Sequence, residues 1–513
     1  MKTVTWTLLV SILLLAAALR FTAIDFGEER INPRPDEDAV PITFHGMETG
    51  VLMPPMVVYG GGYFYPLRAF ASAWEMVGLP VLEGDHLIPG AGQVRIARWW
   101  SAILSFLTVA LTFVVGFRIR GTESGLLASL IVAASTLAVR EAHFGKADSA
   151  AAFAGVVFLL ACTDSVVRGT LRPVLVGAAI GYAVSNKASI GLLLPTAYLF
   201  LRSYDDSSWR LRWRPLLTGA AVSAFTVLML NPHWLTNTAE AFSVARATVG
   251  KVTYNSWLAG SDEALPPLQY HFGISLRYGC GAALTWAAIP ALLYGLYRGP
   301  ATRLVALYLL GPLAVFLSSP MVIARFMLPL VPGLALLVAV AVVDAVRLLP
   351  VRARVVALVF AAVTFSAEPL ARSAAIVQLL GTRDTRLLAS DWFEANVPRE
   401  AVVVSWGTPP RVHADWGGIP RGGRPTHRNL SPEKWETENV RYVVWHSYPL
   451  AYSSLPPPPE LEAMVPVAVF DPWTGPGDRP VLEPMDAFYL PLARLDGLER
   501  PGPRIAIYRV EPH

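Results

Sequence analysis

Arg34-Pro35 leads into three consecutive carboxylates, Asp36-Glu37-Asp38. Like charges this close do not all ionise freely, so at least one has its proton affinity raised, which suits a general base or a cation site. The same run also suits a solvated acidic loop. Its company argues for chemistry. His143, Lys146 and Asp148 share one short polar turn, Lys187 closes Ser185-Asn186-Lys187, Asn231-Pro232-His233 ends another apolar run, and Arg325 begins one. Lys146, Lys187 and Lys251 are three of only five lysines. Isolated cations in tight turns at membrane depth are costly unless an anion pairs with them, which makes them candidate ligands for one. For any single residue the alternative is snorkelling of the charged tip to lipid headgroups.

Other constellations do not assemble. The chain contains no HExxH, GxSxG or GxxxxGK[ST] motif, so zincin, hydrolase-elbow and P-loop chemistry lack their signatures. Gly60-Gly61-Gly62 does not sit between a strand and a helix and reads as a flexible loop. His45, His143, His233 and His271 match no metal-ligand spacing and read as hydrogen-bonding residues. Cys162 and Cys280 fall at opposite ends of their apolar runs and form neither a CxxC pair nor a disulfide framework.

The elements that must position these residues are membrane spans. Of 513 residues, 54% are hydrophobic and 16% charged, which excludes a cytosolic globule and a disordered chain alike. The net charge of +4 leaves no basic excess for nucleic acid. A span needs about 20 apolar residues. Runs near 4–24, 96–117, 122–140, 149–164, 173–186, 188–202, 215–231, 276–297, 301–318, 326–347 and 353–370 give about eleven transmembrane helices. The first run has some features of a signal peptide, Lys2 and Ala16-Ala17-Ala18. Its apolar core, Val4 to Leu19, is nevertheless longer than the usual one.

With the N-terminus inside, the inner loops hold Arg118 and Arg120; Arg168 and Arg172; Arg202, Arg210, Arg212 and Arg214; Arg298 and Arg303; and Arg347, Arg352 and Arg354. That is the positive-inside pattern in every inner loop. The outer side then receives loops 25–95 and 232–275 and the tail. Leu67, Phe70, Trp74 and Val77 recur at helical spacing, as in a helix lying in the membrane interface, and Thr238–Val249 reads as a polar helix. Residues 1–370 read as a transmembrane domain that carries the candidate chemistry. Residues 371–513, with β-rich runs Ala401–Trp406, Val440–Trp445 and Arg504–Val510 and a helical run Arg383–Asn396, read as a soluble α/β domain on the outer side.

In their order these features resemble the GT-C class of polytopic glycosyltransferases, and within it the protein O-mannosyltransferase (dolichyl-phosphate-mannose-protein mannosyltransferase) and aminoarabinose transferase group. The resemblance rests on Ala18-Leu19-Arg20, Pro35-Asp36-Glu37, Ala97-Arg98-Trp99-Trp100-Ser101-Ala102, Gly125-Leu126-Leu127-Ala128, Glu141-Ala142-His143-Phe144 before Asp148, Gly177 to Lys187, Arg325-Phe326-Met327-Leu328-Pro329 with Pro332, and Asp391-Trp392-Phe393 with Asn396-Val397-Pro398. It covers nearly the whole chain.

The resemblance implies a hexosyl- or pentosyltransferase of the bacterial inner membrane. Such an enzyme takes a sugar from a polyprenyl-phosphate donor at the outer face and passes it, with inversion, to a lipid, glycan or protein. The catalytic carboxylate maps onto Asp36, with Glu37 beside it. Lys187 and Arg325 would bind the leaving phosphate, with Lys146 and Arg98 in reserve, and Asp38, His143, Asp148 and His233 are further candidates. No cofactor is implied, although Asp36 and Asp38 form an Asp-x-Asp pair that a divalent ion would suit. An oligosaccharyl transferase or glycan polymerase is the alternative within the class, and a lipid or solute transporter the alternative outside it. A transporter would carry paired half-length spans and charges at mid-bilayer, whereas here the charges gather at one face.

The topology is directly testable. Alkaline phosphatase fused after Pro398 is expected to be active, whereas fusions at Arg120 or Arg210 are expected to be silent; activity at either inner site overturns the arrangement.

Overall fold

The computed structural model describes residues 2–26, 35–50, 59–78, 91–187, 213–239, 265–407, 424–447, 455–474, 490–493 and 495–510, with a few isolated positions between them. The helices are α1 (Lys2–Phe21), α2 (Ala39–Glu48), α3 (Gly61–Met76), α4 (Ala91–Arg120), α5 (Thr122–Ala134), α6 (Thr136–Ala142), α7 (Ala147–Val167), α8 (Pro173–Asn186) and α9 (Trp213–Leu230). They continue with α10 (Pro267–Gly279), α11 (Ala282–Arg298), α12 (Pro300–Ser318), α13 (Val331–Arg347), α14 (Val351–Leu380) and α15 (Thr385–Asn396). Among the described residues seven helices are long and apolar enough to cross a membrane, and nine if each of two bent pairs counts as one span. These nine answer to nine of the eleven expected runs. Helix α8 has 14 residues, shorter than a usual span, and the expected run at 188–202 lies almost wholly outside the described residues, as do Arg34, Lys251 and most of Thr238–Val249.

The bent pairs are where the expectation of plain spans needs correction. Helices α5 and α6 meet at 58°, and α10 and α11 at 120°. A break inside a membrane frees carbonyls that must find donors in the protein. At the first break Arg20, fully buried at the end of α1, donates to Val132 O at 3.0 Å and Ala133 O at 3.1 Å, and Ser373 Oγ donates to Ala134 O at 2.8 Å. Ser135 caps the new helix through Ala138 N and donates to Gly279 O. The arginine spends its charge on helix-end carbonyls and a serine, Ser105.

At one end of the bundle Asp164 accepts from Arg118, Arg168 and Arg172, and Asp344 from Arg120, Arg298 and the Tyr294 hydroxyl. Arginines of the expected inner loops therefore cluster together there. At the other end, helix α3 packs Phe70 and Trp74 against Trp100 and Trp99 of α4. Its start corrects the reading of Gly60-Gly61-Gly62 as a flexible loop. A Cβ on Gly60 would stand 2.1 Å from Ser185 O, and one on Gly61 1.9 Å from Leu230 O. Three backbones meet where side chains do not fit.

Helix α14 runs unbroken ten residues past 370, so bundle gives way to sheet near Gly381. The C-terminal domain is a five-stranded sheet of order β2-β1-β3-β5-β4, with β1 (Val402–Trp406) parallel to β2 (Thr426–Arg428) and β3 (Val440–Ser447), and β5 (Arg504–Arg509) antiparallel to β3 and β4 (Ala468–Phe470). Ala389, Phe393 and Val397 of the α15 region cover one face, against Val403, Val444, Ile505 and Ile507. A segment at 490–493 inserts Leu490 and Leu492 into the apolar core of the bundle, and Arg372 of α14 donates to Leu492 O.

Gly61→Ala is expected to destabilise the protein by about 1–3 kcal/mol or more through overpacking against a carbonyl that has nowhere to move. Thermal melting in detergent checks this, with Gly273→Ala, whose Cβ would meet no atom within 4 Å, as the silent control.

Candidate active site

The carboxylate run occupies a single 3-10 turn, Pro35–Asp38, which points successive side chains in different directions. Glu37 turns inward and is sealed. It accepts from Arg98 Nε at 2.9 Å and Nη2 at 2.8 Å, a bidentate pair, and from Gly145 N at 2.7 Å. Arg98 also donates to Phe26 O at 2.6 Å and lies 3.9 Å over the Phe26 ring. Neither partner of this pair is exposed, so the guanidinium is turned away from any ligand and Glu37 from any substrate proton.

Asp36 turns the other way, its side chain 30% exposed. Arg325 donates to its Oδ2 at 3.1 Å, and Lys146 Nζ stands 4.0 Å from the same oxygen. Lys146 is sealed among carboxylates, 3.4 Å from Glu141 and 3.7 Å from Asp148. Asp148 is bonded to Lys187 and lies 3.9 Å from Arg325 Nε. Three cations, Lys146, Lys187 and Arg325, thus interleave with three carboxylates, Asp36, Glu141 and Asp148. In a low-dielectric pocket such charges persist only because each faces its opposite.

Local structure explains the placement. Lys146 is the N-cap of α7 and Asp148 lies in its first turn, where a carboxylate gains from the helix dipole. Lys187 is the C-cap of α8 in extended conformation and pairs its backbone with Tyr59 in an isolated antiparallel bridge. Arg325 opens the 3-10 turn Ala324–Leu330 that leads into α13. The Lys187 ammonium lies 5.9 Å over the Tyr59 ring and 5.5 Å over that of Phe326. Burial, with the nearby Asp36 and Asp148 charges, pushes the Tyr59 phenol well above its ordinary range, and burial does the same for Tyr63, so both stay protonated.

Of the residues singled out from sequence, Asp36, Lys146, Asp148, Lys187 and Arg325 come together. Glu37 and Arg98 stand one layer behind, engaged with each other rather than aimed at a ligand. Asp38 is the N-cap of α2. His143 lies buried, its ring nitrogens 2.8 Å from Val139 O and 2.9 Å from Thr22 O, and joins α6 to the end of α1. Burial lowers its proton affinity. His233 is buried after α9 against Trp234, with Nδ1 unpartnered among the described residues and its basicity lowered by burial. Among the described residues no group of three or more His, Cys, Asp or Glu is arranged to hold a metal ion. Sequence reasoning missed Glu141, its partner Arg140, Tyr59 and Tyr63. The signal for the first two was present: adjacent opposite charges at the end of an apolar run.

No family model matches the chain. In sequence it is similar to the undecaprenyl phosphate-alpha-4-amino-4-deoxy-L-arabinose arabinosyl transferase of Pseudomonas paraeruginosa, 25% identical over 337 residues, 60% of this chain and 58% of the relative. The chain thus spans under two thirds of the length of that relative. In structure it is similar to ArnT from Cupriavidus metallidurans, with TM-score 0.50 and 14% identity, covering 100% of this chain and 99% of that one. It is also similar to the oligosaccharyltransferase of Archaeoglobus fulgidus, with TM-score 0.53 and 13% identity, covering 87% and 69%. The fold is therefore the GT-C fold anticipated from the sequence.

The geometry separates the two neighbouring carboxylates by what they support. Glu37→Gln breaks a sealed ion pair and is expected to cost about 3–5 kcal/mol of stability, whereas Asp36→Asn, at a partly open position, leaves the melting temperature near that of the parent. Equal melting of both variants overturns this division.

Proposed function

We propose that the chain is a membrane glycosyltransferase that moves a sugar from a polyprenyl-phosphate donor to a hydroxyl-bearing acceptor, with inversion at the anomeric carbon. One observation carries the reading: a partly open carboxylate, Asp36, stands beside the cations Arg325 and Lys146, with Lys187 joined to them through Asp148, at one end of an apolar bundle. The similarity to the arabinosyl transferases supports the donor class. So does the pair of neighbours solved with lipid phosphates, the Cupriavidus enzyme with undecaprenyl phosphate and the Archaeoglobus enzyme with dolichol-phosphate and an inhibitory peptide.

In this proposal Asp36 accepts the proton of the acceptor hydroxyl as its oxygen attacks the anomeric carbon. The bond from that carbon to the phosphate oxygen breaks, and its electron pair leaves with the phosphate. Arg325 and Lys187, with Lys146 behind them, neutralise the charge growing there. The donor phosphate competes with Asp36 for Arg325, so donor binding itself frees the base from its cation. Glu37 and Arg98 hold the turn that carries Asp36. Tyr59 supplies an aromatic floor and a protonated hydroxyl.

The arginines clustered at the opposite end support, by the positive-inside rule, a cytoplasmic position for that end, and with it an outward-facing site and C-terminal domain. There a lipid-linked donor is accessible and a nucleotide sugar is not. Charged groups gathered at one end of the bundle also favour interfacial chemistry over transport through it. The shared fold of the Archaeoglobus oligosaccharyltransferase favours, as a second reading, transfer of a whole glycan from a lipid carrier.

Purified protein incubated with a panel of labelled polyprenyl-phosphate sugars tests the proposal. The parent is expected to transfer or slowly hydrolyse one of them. Asp36→Asn is expected to lower turnover by about 10²-fold or more, and Arg325→Ala by about 10²–10³-fold. Arg352→Ala, at the opposite end, is expected to match the parent. Parent-rate transfer by Asp36→Asn removes that residue as the base.

A further inference from the structure

Lys146 presents a problem that the proposed reaction alone does not solve. Its side chain has no exposure to solvent, yet an ammonium without water must be held charged by anions. The groups facing it are Glu141 on α6 at 3.4 Å, Asp148 on α7 at 3.7 Å and Asp36 on the 3-10 turn at 4.0 Å. The ring of Phe144 lies 5.7 Å away. Two of these carboxylates are committed elsewhere: Asp148 is bonded to Lys187 and also faces Arg325, and Asp36 is bonded to Arg325. Glu141 is the nearest of the three.

Glu141 is itself fixed from behind. Its Oε1 accepts from Arg140 Nε at 2.9 Å and Nη2 at 2.8 Å, and its backbone carbonyl accepts from Ser149 Oγ. The Arg140 guanidinium in turn donates to the carbonyl of Leu490, on the segment by which the C-terminal domain enters the bundle. Neither Arg140 nor Glu141 is exposed. The carboxylate therefore cannot swing away from Lys146 without leaving a buried guanidinium behind.

We propose that Glu141 is a positioning residue, which acts through Lys146 by keeping that ammonium charged and aimed at Asp36 Oδ2, the oxygen it shares with Arg325. This rests on the functional reading above. Glu141 touches neither donor nor acceptor, and its role is to let a sealed lysine serve as a cation for the phosphate.

The test is the pH profile of kcat/KM for sugar transfer by the full chain. Glu141→Gln keeps size and removes the charge, so Lys146 gives up its proton more readily. The alkaline limb is expected to move to lower pH by about one unit or more, as follows from losing an anion within 4 Å. Lys146→Arg in the Glu141→Gln background, with a cation that does not titrate in this range, is expected to abolish the downward shift, leaving the limb at the parent position or above it. Glu141→Asp, the recourse where the glutamine variant does not fold, draws the charge back by one methylene and moves the limb the same way by less. A limb that stays at the parent pH in the Gln or Asp variant overturns the proposal, as does failure of Lys146→Arg to abolish the shift, because a purely structural role would lower rates at every pH. A parent inactive with every polyprenyl-phosphate sugar instead overturns the functional reading itself, and is seen before any variant is made.

Discussion

A charge taken out of water must meet its opposite, and the pairing of Glu37 with Arg98 is the place where this constraint shapes the molecule most. Glu37 precedes nothing catalytic and follows Asp36 directly. Its second bond, from Gly145 N, reaches the residue just before Lys146. One sealed carboxylate therefore sets the position of the proposed base on one side and of a buried cation on the other. Arg98 completes the tie by holding the carbonyls at the end of the first span. Loop, first helix and the turn before α7 are locked by a single ion pair.

The same rule, applied to uncharged backbone, explains the broken helices. A membrane bundle has no water to satisfy a freed carbonyl, so each break is matched by a donor sent from another element. Arg20 and Ser373 serve the carbonyls before Ser135, and Thr136 donates to Pro369 O on α14. The break makes α6 a separate short helix whose end delivers Arg140 and Glu141 to the site. An unbroken span would carry those charges along a straight axis instead.

Charge is thus sorted into two ends with different logic. At one end arginines outnumber the acids that pair them, Asp164 and Asp344, as suits an anchor at a membrane surface. At the other, Lys146, Lys187 and Arg325 interleave with Asp36, Glu141 and Asp148, so in the proposed reaction an arriving phosphate exchanges with carboxylates already present rather than filling a bare positive pocket. Under that proposal the availability of Asp36 depends on the donor.

Much of this was legible in the chain. Long apolar runs and their flanking arginines report membrane spans because the bilayer tests each residue for itself, and nine of the runs have counterpart helices. The β-rich runs of the tail became β1, β3 and β5 with nearly the expected bounds because a short run rich in β-branched and aromatic residues is a local signal. Isolated lysines in turns stood out by the same one-residue cost, and Lys146 and Lys187 do meet across Asp148. Tertiary structure alone decided how adjacent residues divide their work. Asp36 and Glu37 carry the same charge and sit side by side, and only the direction of a 3-10 turn against Arg98 and Arg325 makes one sealed and the other open. Gly60-Gly61-Gly62 reads as slack until Ser185 and Leu230 arrive to forbid any Cβ. Glu141 gains its place from Lys146 across a turn and from Arg140, itself held by the carbonyl of Leu490 some 350 residues away, a distance over which pairing leaves no local pattern.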